Sequence, residues 1–384
     1  MGERKKILWL ASWYPNRNDG FDGDFIQRHA RAAAIYHDVH VLFVTDAEIE
    51  TAVEEEWNYA TGLTEQIIYF KKINGLLRTI RKPLTWKNLF QMATKKYIEK
   101  HGKPDYVHVH VPWKAGLIAL WVKKKYGIDF IVTEHWGIYN HIVEDNFYTK
   151  PALTQKLLKK VFTKARHFLS VSEYLADGVC KISGIKADAI IPNVVDITLF
   201  TYKEAKHSKF TFIHVSNMVP LKNVKGILDA FKQLTWTTTR DVQLIMVGNR
   251  NDEYINYASS LGLLNNFVFF RGEMAYREVA EEMQRSHCFV LNSVMENSPC
   301  VIGEALCCGL PVIATDVGGI SELVDVTNSI LIPSQDTIAL STAMENVIEA
   351  YDSFNQKQIA EKASIKFGHS AVAAAFNNLY TRTY

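Results

Sequence analysis

The chain has 384 residues, several times the minimum for one domain and enough for two domains of roughly 150 residues or more. Hydrophobic residues make up 48% and charged residues 22%, which excludes disordered, collagen-like and disulfide-scaffold proteins. The 43 basic and 41 acidic side chains give a formal net charge of +2, too balanced for a protein that coats phosphate backbone. We therefore expect no nucleic acid partner.

The cysteine pattern and the N-terminal sequence indicate the compartment. Five cysteines form no C-x-x-C pair, which predicts free thiols in a reducing compartment and a cytoplasmic protein. The apolar run after the first lysines is short and no small-residue cleavage site follows it, so it predicts a strand rather than a signal peptide. No run approaches the roughly 18 apolar residues of a membrane span. Any membrane contact is expected to be peripheral, on the inner face.

Two series of short, β-branched apolar runs alternate with helical segments and are separated by the polar stretch 201–209. The first series is 7–11, 39–44, 106–111, 130–133, 167–171 and 189–191, and the second is 210–215, 242–247, 267–270, 287–291, 311–315 and 330–332. Continuous hydrophobicity is typical of strands covered by helices on both faces. The fold class is therefore α/β, with two doubly wound, Rossmann-like parallel-sheet domains at residues 1–200 and 205–367.

The unusual residues follow the predicted strands. In the first domain they occupy 12–24, 110, 133–136 and 192–193, and in the second 217–222, 248–250, 271–273 and 293–304. Ligands of open α/β sheets bind beyond the carboxyl ends of the strands. This placement predicts an enzyme whose ligand lies in a cleft between two domains.

The segment 287–325 concentrates the chemistry. Ser298 suits an N-cap and Pro299 a first helical position, and Gly309 with Pro311 suits a helix stop, which predicts a helix over 299–308. Its amino end would offer free N–H groups and positive dipole to a phosphate. Glu296 precedes this helix and Glu304 lies inside it, where a carboxylate can accept two hydroxyl hydrogen bonds from a sugar or ribose.

This E-x7-E segment resembles retaining GT-B glycosyltransferases of family 4, the "glycosyl transferases group 1" type. The similarity extends in order over nearly the whole chain: S-W-Y-P at 12–15, G-D-F-I-Q-R-H at 23–29, T-E-H at 133–135, V-S-E-Y-L at 171–175, I-P-N-V-V-D at 191–196, V-S-N-M-V-P-L-K-N at 215–223 and A-L-C-C-G-L-P-V-I-A-T-D-V-G-G at 305–319. It implies an acceptor-side domain and a donor-binding domain, with a C-terminal helix at about 368–384 that crosses back onto the first domain.

The resemblance also implies the roles of individual residues. Glu304 would hold the ribose hydroxyls of the donor, and Glu296 would contact the transferred sugar near its reacting carbon. Lys222 would neutralise the pyrophosphate, and His135 would touch the sugar. The helix N-terminus and a glycine backbone would complete the donor site, and these residues are Asn297, Ser298, Pro299, Cys300 and Gly23.

The implied reaction moves a hexosyl group from a nucleotide-diphosphate sugar to a glycan or lipid-linked acceptor, in cell-surface polysaccharide synthesis. Members of this family are thought to retain anomeric configuration by front-side attack, with the leaving phosphate taking the acceptor proton. The resemblance therefore implies no protein base, no metal and no further cofactor.

One position departs from the family pattern. Members usually carry Gly-Arg where this chain has Ser216-Asn217. A charge-assisted hydrogen bond contributes roughly 1.5–3 kcal/mol against about 1 kcal/mol for a neutral one, so Asn217 predicts weaker pyrophosphate binding. Arg250 and Arg271, at neighbouring strand ends, could compensate.

Several alternatives stay open on the sequence alone. The chain could be a GT-B nucleotide-sugar epimerase, or a GT-B subunit that binds sugar or nucleotide without catalysis. His108 and His110 share a strand face, but a metal pair is not favoured because no third and fourth ligand follows at a usable spacing. Asp22 and Asp24 flank Gly23 as a D-x-D triplet, which we interpret as a glycine-dependent turn rather than a metal site.

Two basic stretches have two interpretations each. Residues 71–82 and 156–166 carry five positive charges apiece and no acid, with apolar residues between them. They are either solvated helix faces or surfaces that dock onto anionic lipid.

Overall fold

A computed structural model describes residues 4–382, which form two compact units. The first unit comprises the residues up to Val194 together with those from His369, and the second is Val195–Gly368. The observed boundary thus lies a few residues before the one predicted at 200–205. Residues 1–3 and 383–384 of the predicted domain ranges lie outside the described residues.

The first unit contains an eight-stranded sheet. Five of its α-helices lie before Val194 in the chain. The strands are β1 (Lys6–Ala11), β2 (Asp38–Ala47), β3 (Val53–Ala60), β4 (Leu63–Lys71), β5 (Tyr106–His110), β6 (Phe130–Glu134), β7 (His167–Ser170) and β8 (Ala189–Ile190). The helices are α1 (Asp24–Ala33), α2 (Arg78–His101), α3 (Ala115–Tyr126), α4 (Ala152–Lys164) and α5 (Glu173–Ser183). The strand order is β3-β4-β2-β1-β5-β6-β7-β8.

Helices cover both faces of this sheet, which explains why β1 is apolar from Ile7 to Ala11. Leu8 and Leu10 belong to one buried core, whereas Ile7, Trp9 and Ala11 belong to the other. Successive side chains of a strand point to opposite faces, so a central strand between two cores needs an apolar residue at every position.

The prediction of a purely parallel sheet is wrong at one edge of the first unit. β3 pairs antiparallel with β4, and the two form a hairpin that the strand pattern did not include. Gly62, in the turn between them, has a φ of 72°, and most β3 residues are exposed. An exposed edge strand has only one neighbour and no second core, so it lacks the continuous apolar run that marks the other strands.

The second unit contains a six-stranded parallel sheet in the order β11-β10-β9-β12-β13-β14. The strands are β9 (Phe210–Val215), β10 (Val242–Val247), β11 (Val268–Gly272), β12 (Cys288–Leu291), β13 (Val312–Thr315) and β14 (Ser329–Ile332). The helices are α6 (Val224–Thr237), α7 (Asp252–Ser260), α8 (Tyr276–Arg285), α9 (Cys300–Cys307), α10 (Thr337–Glu349) and α11 (Gln356–Phe367). The strand order reverses at β9, so the loops after β9 and β12 lie side by side, as at the ligand-binding switch point of other open α/β sheets.

The last helix, α12 (His369–Thr381), returns to the first unit and packs against α1. Phe376 is fully buried, with its ring edge-on to Trp9 and to His29 at 5.7 and 5.5 Å between centroids. The Tyr380 hydroxyl forms a hydrogen bond of 2.5 Å with His108 Nδ1. The C-terminal segment therefore completes the core of the first unit.

None of the helices within residues 4–382 is both long and apolar enough to cross a lipid bilayer.

Replacing Phe376 with alanine should destabilise the first unit by about 3–5 kcal/mol, the cost of emptying a fully buried aromatic position. Leu153→Ala on the exposed face of α4 is the matched control and should change stability by no more than about 0.5 kcal/mol. Urea unfolding followed by circular dichroism measures both. Equal, small losses for the two variants would show that α12 contributes little to this core.

Candidate functional site

An ion pair joins the loop after β9 to the loop after β12 in the second unit. Lys222 ends a short 3-10 helix, Pro220–Lys222, and its Nζ lies 2.5 Å from Glu296 Oε1. The same oxygen accepts a hydrogen bond of 2.7 Å from Ser293 Oγ. Glu296 is only 8% exposed, so this carboxylate is held in a fixed position at the carboxyl end of β12. The structure thus brings together two of the predicted site residues and adds Ser293, which the sequence analysis placed in this loop without a role.

Backbone contacts fix the loop that carries Glu296. Val294 N–H donates to the Leu221 carbonyl at 2.8 Å, which ties this loop to the one that carries Lys222. Gly318 has a φ of 59°, and a Cβ there would lie 1.7 Å from the Glu296 carbonyl oxygen. Only glycine fits so close an approach. The V-G-G segment at 317–319 therefore lies against the backbone of Glu296. The sequence analysis did not assign this role, because the segment lies beyond the E-x7-E motif.

The helix after this loop starts later than the sequence predicted. α9 runs over Cys300–Cys307, and its N-cap is Pro299, with no side-chain capping hydrogen bond. The prediction of Ser298 as the N-cap is therefore wrong, as is Pro299 as the first helical residue. The reason is that Pro299 has an extended ψ of 117°, so the helical turn begins only after it. Asn297, Ser298 and Cys300 still lie at the amino end of the helix.

Glu304 lies inside α9 and is 3% exposed. Its Oε1 accepts a hydrogen bond of 2.5 Å from the Tyr276 hydroxyl. Tyr276 is the first residue of α8, and its ring is edge-on to that of Phe200 at 4.9 Å. The sequence analysis missed Tyr276 because a tyrosine after a strand-end loop carries no motif signal. The structure makes it the partner that orients the Glu304 carboxylate.

The three residues proposed to adjust pyrophosphate binding lie on loops or strand ends of the same unit. Asn217 is exposed, two residues after β9. Arg250 is exposed and its Nε donates to Asp252 Oδ1 at 2.9 Å. Arg271, in β11, is also exposed, with its guanidinium carbon 5.8 Å from the centroid of the Phe269 ring. Compensation for Asn217 by these arginines stays a prediction.

Gly23 of the first unit forms the turn before α1. It is the N-cap of that helix with a φ of 64°, and a Cβ there would lie 2.6 Å from the Trp13 carbonyl carbon. The Asp24 carboxylate accepts a hydrogen bond of 2.9 Å from Arg28 Nη2. Burial and the neighbouring Asp19 raise the pKa of Asp22 to about 6. This geometry fits the interpretation of the D-x-D triplet as a glycine-dependent turn.

His135 is buried beside two other histidines of the first unit. His135 Nε2 and His110 Nδ1 share a hydrogen bond of 3.1 Å, and one ring nitrogen of His29 completes a group whose atoms lie within 4.8 Å of one another. The group includes His110 of the strand pair but not His108, and the interpretation that His108 and His110 do not form a metal pair stays a prediction. The other two histidines of the group come from α1 and from the loop after β6, so sequence spacing could not reveal them.

The loop that carries His135 is held by Glu134. The Glu134 carboxylate accepts hydrogen bonds from the N–H groups of His135 and Trp136 at 2.8 and 2.9 Å, and from the Tyr139 hydroxyl. Burial raises the pKa of Glu134 to about 7. In the T-E-H motif the glutamate thus shapes the loop, and the histidine is the residue it positions.

Family patterns match both halves of the chain. The Glycosyltransferase Family 4 pattern matches residues 25–199, and the Glycosyl transferases group 1 pattern matches residues 198–365. A Bacillus subtilis protein named as a teichuronic acid biosynthesis glycosyltransferase, TuaC, is 22% identical over 365 residues, which cover 88% of each chain.

Two solved structures show the fold over the whole chain. Sucrose-phosphate synthase of Thermosynechococcus elongatus superposes with a TM-score of 0.78 at 20% identity and covers 98% of both chains. HepE of Anabaena, solved with UDP and glucose, has a TM-score of 0.73 at 18% identity and covers 99% of this chain and 100% of its own. The predicted two-domain α/β fold of the GT-B type is confirmed.

Gly318→Ala should displace the loop that carries Glu296, whereas Gly262→Ala should not. Both glycines have a positive φ, so alanine costs roughly 1–2 kcal/mol at either position. Only at Gly318 does the new methyl group meet a carbonyl oxygen, since nothing lies within 4 Å of a Cβ at Gly262. Thermal unfolding should show a further loss of roughly 2 kcal/mol or more at Gly318. Equal losses would contradict the close approach.

Proposed function

This chain belongs to the group 1 glycosyltransferases, and we propose that it transfers a hexosyl group with retention from a nucleoside-diphosphate sugar to a glycan or lipid-linked acceptor. The observation that carries the proposal is the partly buried ion pair of Lys222 and Glu296, of which Glu296 lies four residues before the amino end of α9. A cation, an acid and a helix N-terminus beside one another are the groups that a sugar diphosphate needs.

The donor pyrophosphate would bind to positive charge and to N–H groups. The Lys222 ammonium and the amino end of α9, at Asn297, Ser298 and Cys300, supply both. The backbone of Gly23 would assist. We propose that the transfer step needs no metal, because these groups stabilise the charge that develops on the leaving phosphate.

The two glutamates would bind the two sugars of the donor. Glu304 is oriented by Tyr276 and would accept hydrogen bonds from the ribose hydroxyls. Glu296 is held by Lys222 and Ser293 through Oε1, so its other oxygen would accept a hydroxyl of the transferred sugar. When the pyrophosphate binds the Lys222 ammonium, Glu296 would lose part of its ion pair with Lys222 and interact more strongly with the sugar. His135 would contact the same sugar.

The proposed reaction breaks the bond between the anomeric carbon and the diphosphate as the acceptor oxygen attacks the same face. The acceptor proton passes to the leaving phosphate, so no protein base is required, and retention follows from front-side attack. No further cofactor enters this scheme.

The relatives suggest which substrates to test first. HepE is solved with UDP and glucose, so UDP-sugars are the first donors to test. TuaC is named for teichuronic acid biosynthesis, so we propose a cell-surface polysaccharide precursor as acceptor. A non-catalytic subunit is the second candidate, and the exposed Asn217 in place of the usual arginine is the observation that favours it.

Lys222→Met should lower kcat/KM for the donor by roughly 100-fold or more, since it removes the charge at the developing phosphate. Glu304→Gln should mainly raise KM for the donor, because ribose is bound equally in the ground and transition states. The matched control is Glu282→Gln, another largely buried and paired carboxylate of the same unit, 2.7 Å from His207. Release of nucleoside diphosphate measures all three.

Full activity of Lys222→Met would contradict the proposed pyrophosphate site. If the wild-type chain releases no nucleoside diphosphate from any donor but still binds one, the non-catalytic interpretation replaces the enzyme.

We further propose that the start of α2 docks onto the inner face of an anionic membrane, in the cytoplasm. Leu76 is fully exposed, and Leu77, Ile80 and Leu84 are more than half exposed beside the basic residues of stretch 71–82. Apolar side chains and cations on one surface suit insertion between anionic headgroups. The second stretch, 156–166, shows fewer exposed apolar side chains, so we interpret it as a solvated face.

All five cysteines are free thiols, which supports a reducing compartment.

Removing two charges, as in Arg78→Ser with Arg81→Ser, should weaken binding to anionic vesicles by roughly 30-fold, at about 1 kcal/mol per charge. Lys159→Ser with Lys160→Ser in the second stretch is the control and should bind as the wild type does. Co-sedimentation with vesicles of increasing phosphatidylglycerol content measures this. Binding that does not depend on anionic lipid would contradict the proposed membrane docking.

A further inference from the structure

The buried histidines of the first unit form a group of nitrogen donors with the geometry of a metal site. His29, His110 and His135 each offer one ring nitrogen, and these atoms lie within 4.8 Å of one another. The closest two, His110 Nδ1 and His135 Nε2, are 3.1 Å apart. Two nitrogen ligands of tetrahedral zinc, each at 2.0–2.1 Å from the ion, lie roughly 3.3 Å apart. A zinc ion could therefore replace the shared proton after small movements of the rings.

Hydrogen bonding fixes His29 in a form that can bind a metal. Its Nε2 donates to the Pro192 carbonyl at 2.9 Å, so the proton is on Nε2 and the lone pair is on Nδ1. Nδ1 of His29 is buried without a hydrogen-bond partner among the described residues. A histidine that donates its second ring N–H to a backbone carbonyl is the common arrangement around protein-bound metals.

The surroundings keep the three rings neutral and in place. Trp9 stacks on His110 at 3.9 Å between centroids, Phe25 lies 4.8 Å from His135, and Phe376 of α12 lies 5.5 Å from His29. Burial lowers the pKa of His29 to about 4 and places the pKa values of His110 and His135 well below their usual range. Neutral imidazole is the form that coordinates metal.

We propose that His29, His110 and His135 bind one Zn²⁺ ion, with a water molecule as the fourth ligand. Three imidazoles and no thiolate form a donor set that suits zinc and similar divalent ions. His135 is 8% exposed whereas the other two are fully buried, so the ion enters on the side of His135.

Occupation of this site takes His135 away from the sugar, so zinc inhibits transfer. This second part rests on the proposed function, whereas zinc binding does not. The ion is a regulator of the enzyme and has no role in the transfer step.

The experiment measures metal binding without nucleotide, on protein whose purification tag has been removed. Titration with Co²⁺ should give the strong visible absorption of tetrahedral cobalt at one ion per chain, and added Zn²⁺ should displace it. His29→Gln and His110→Gln should each weaken binding at least tenfold. His40→Gln is the matched control: His40 is a buried histidine of the same unit that bonds to Gln66 and lies outside the group. It should bind cobalt as the wild type does.

X-ray absorption on the zinc-loaded wild type keeps the test decisive if a variant fails to fold. Three imidazole ligands and no sulfur are expected, and sulfur ligation or less than one ion per chain would overturn the site. Unchanged binding in the folded variants would overturn it too. Zinc should also inhibit nucleoside diphosphate release in the wild type but not in His110→Gln. Zinc binding without any transfer activity would contradict the proposed function but not the metal site.

Discussion

The Lys222–Glu296 ion pair is the interaction on which the second unit's site depends. It connects the loops after β9 and β12, the two strands at which the order of the sheet reverses. An ion pair of low exposure is costly to desolvate and adds little net stability, which agrees with a binding role for its partners. A donor pyrophosphate would bind the cation and leave the carboxylate to the sugar. Gly318, Ser293 and the backbone bond from Val294 hold the acid in place for it.

Much of this architecture could be predicted from the sequence. A strand buried on both faces is apolar at most positions, so β1, β9 and β12 were recognisable as nearly continuous runs. Edge strand β3 was not, because an exposed strand is free of that constraint, whereas the buried strand β4 carries an apolar run at 67–70 that the sequence analysis did not assign. Likewise, Glu296, Glu304 and Lys222 carry motif signals, whereas Tyr276 acts through a hydroxyl hydrogen bond between α8 and α9 that only the fold creates.

The histidines of the first unit show the limit of sequence spacing most clearly. Alternation along β5 places His108 and His110 on one face, yet their partners differ. His108 bonds to Tyr380 of α12 and to Thr133, whereas His110 meets His135 and lies near His29. These contacts join segments 25 to 272 residues apart in the chain. α12 thus links the folding of the first unit to the environment of the residue proposed to touch the sugar.

The central claim is that the second unit binds a nucleoside-diphosphate sugar through charge supplied by the protein. Thermal unfolding in the presence of UDP, GDP, ADP and their common sugar conjugates, each with and without EDTA, tests it most directly. Binding at 100 times Kd adds about 2.7 kcal/mol of apparent stability. We expect a raised midpoint with one nucleotide, unchanged by EDTA. A shift that EDTA abolishes, or no shift with any nucleotide, would contradict it.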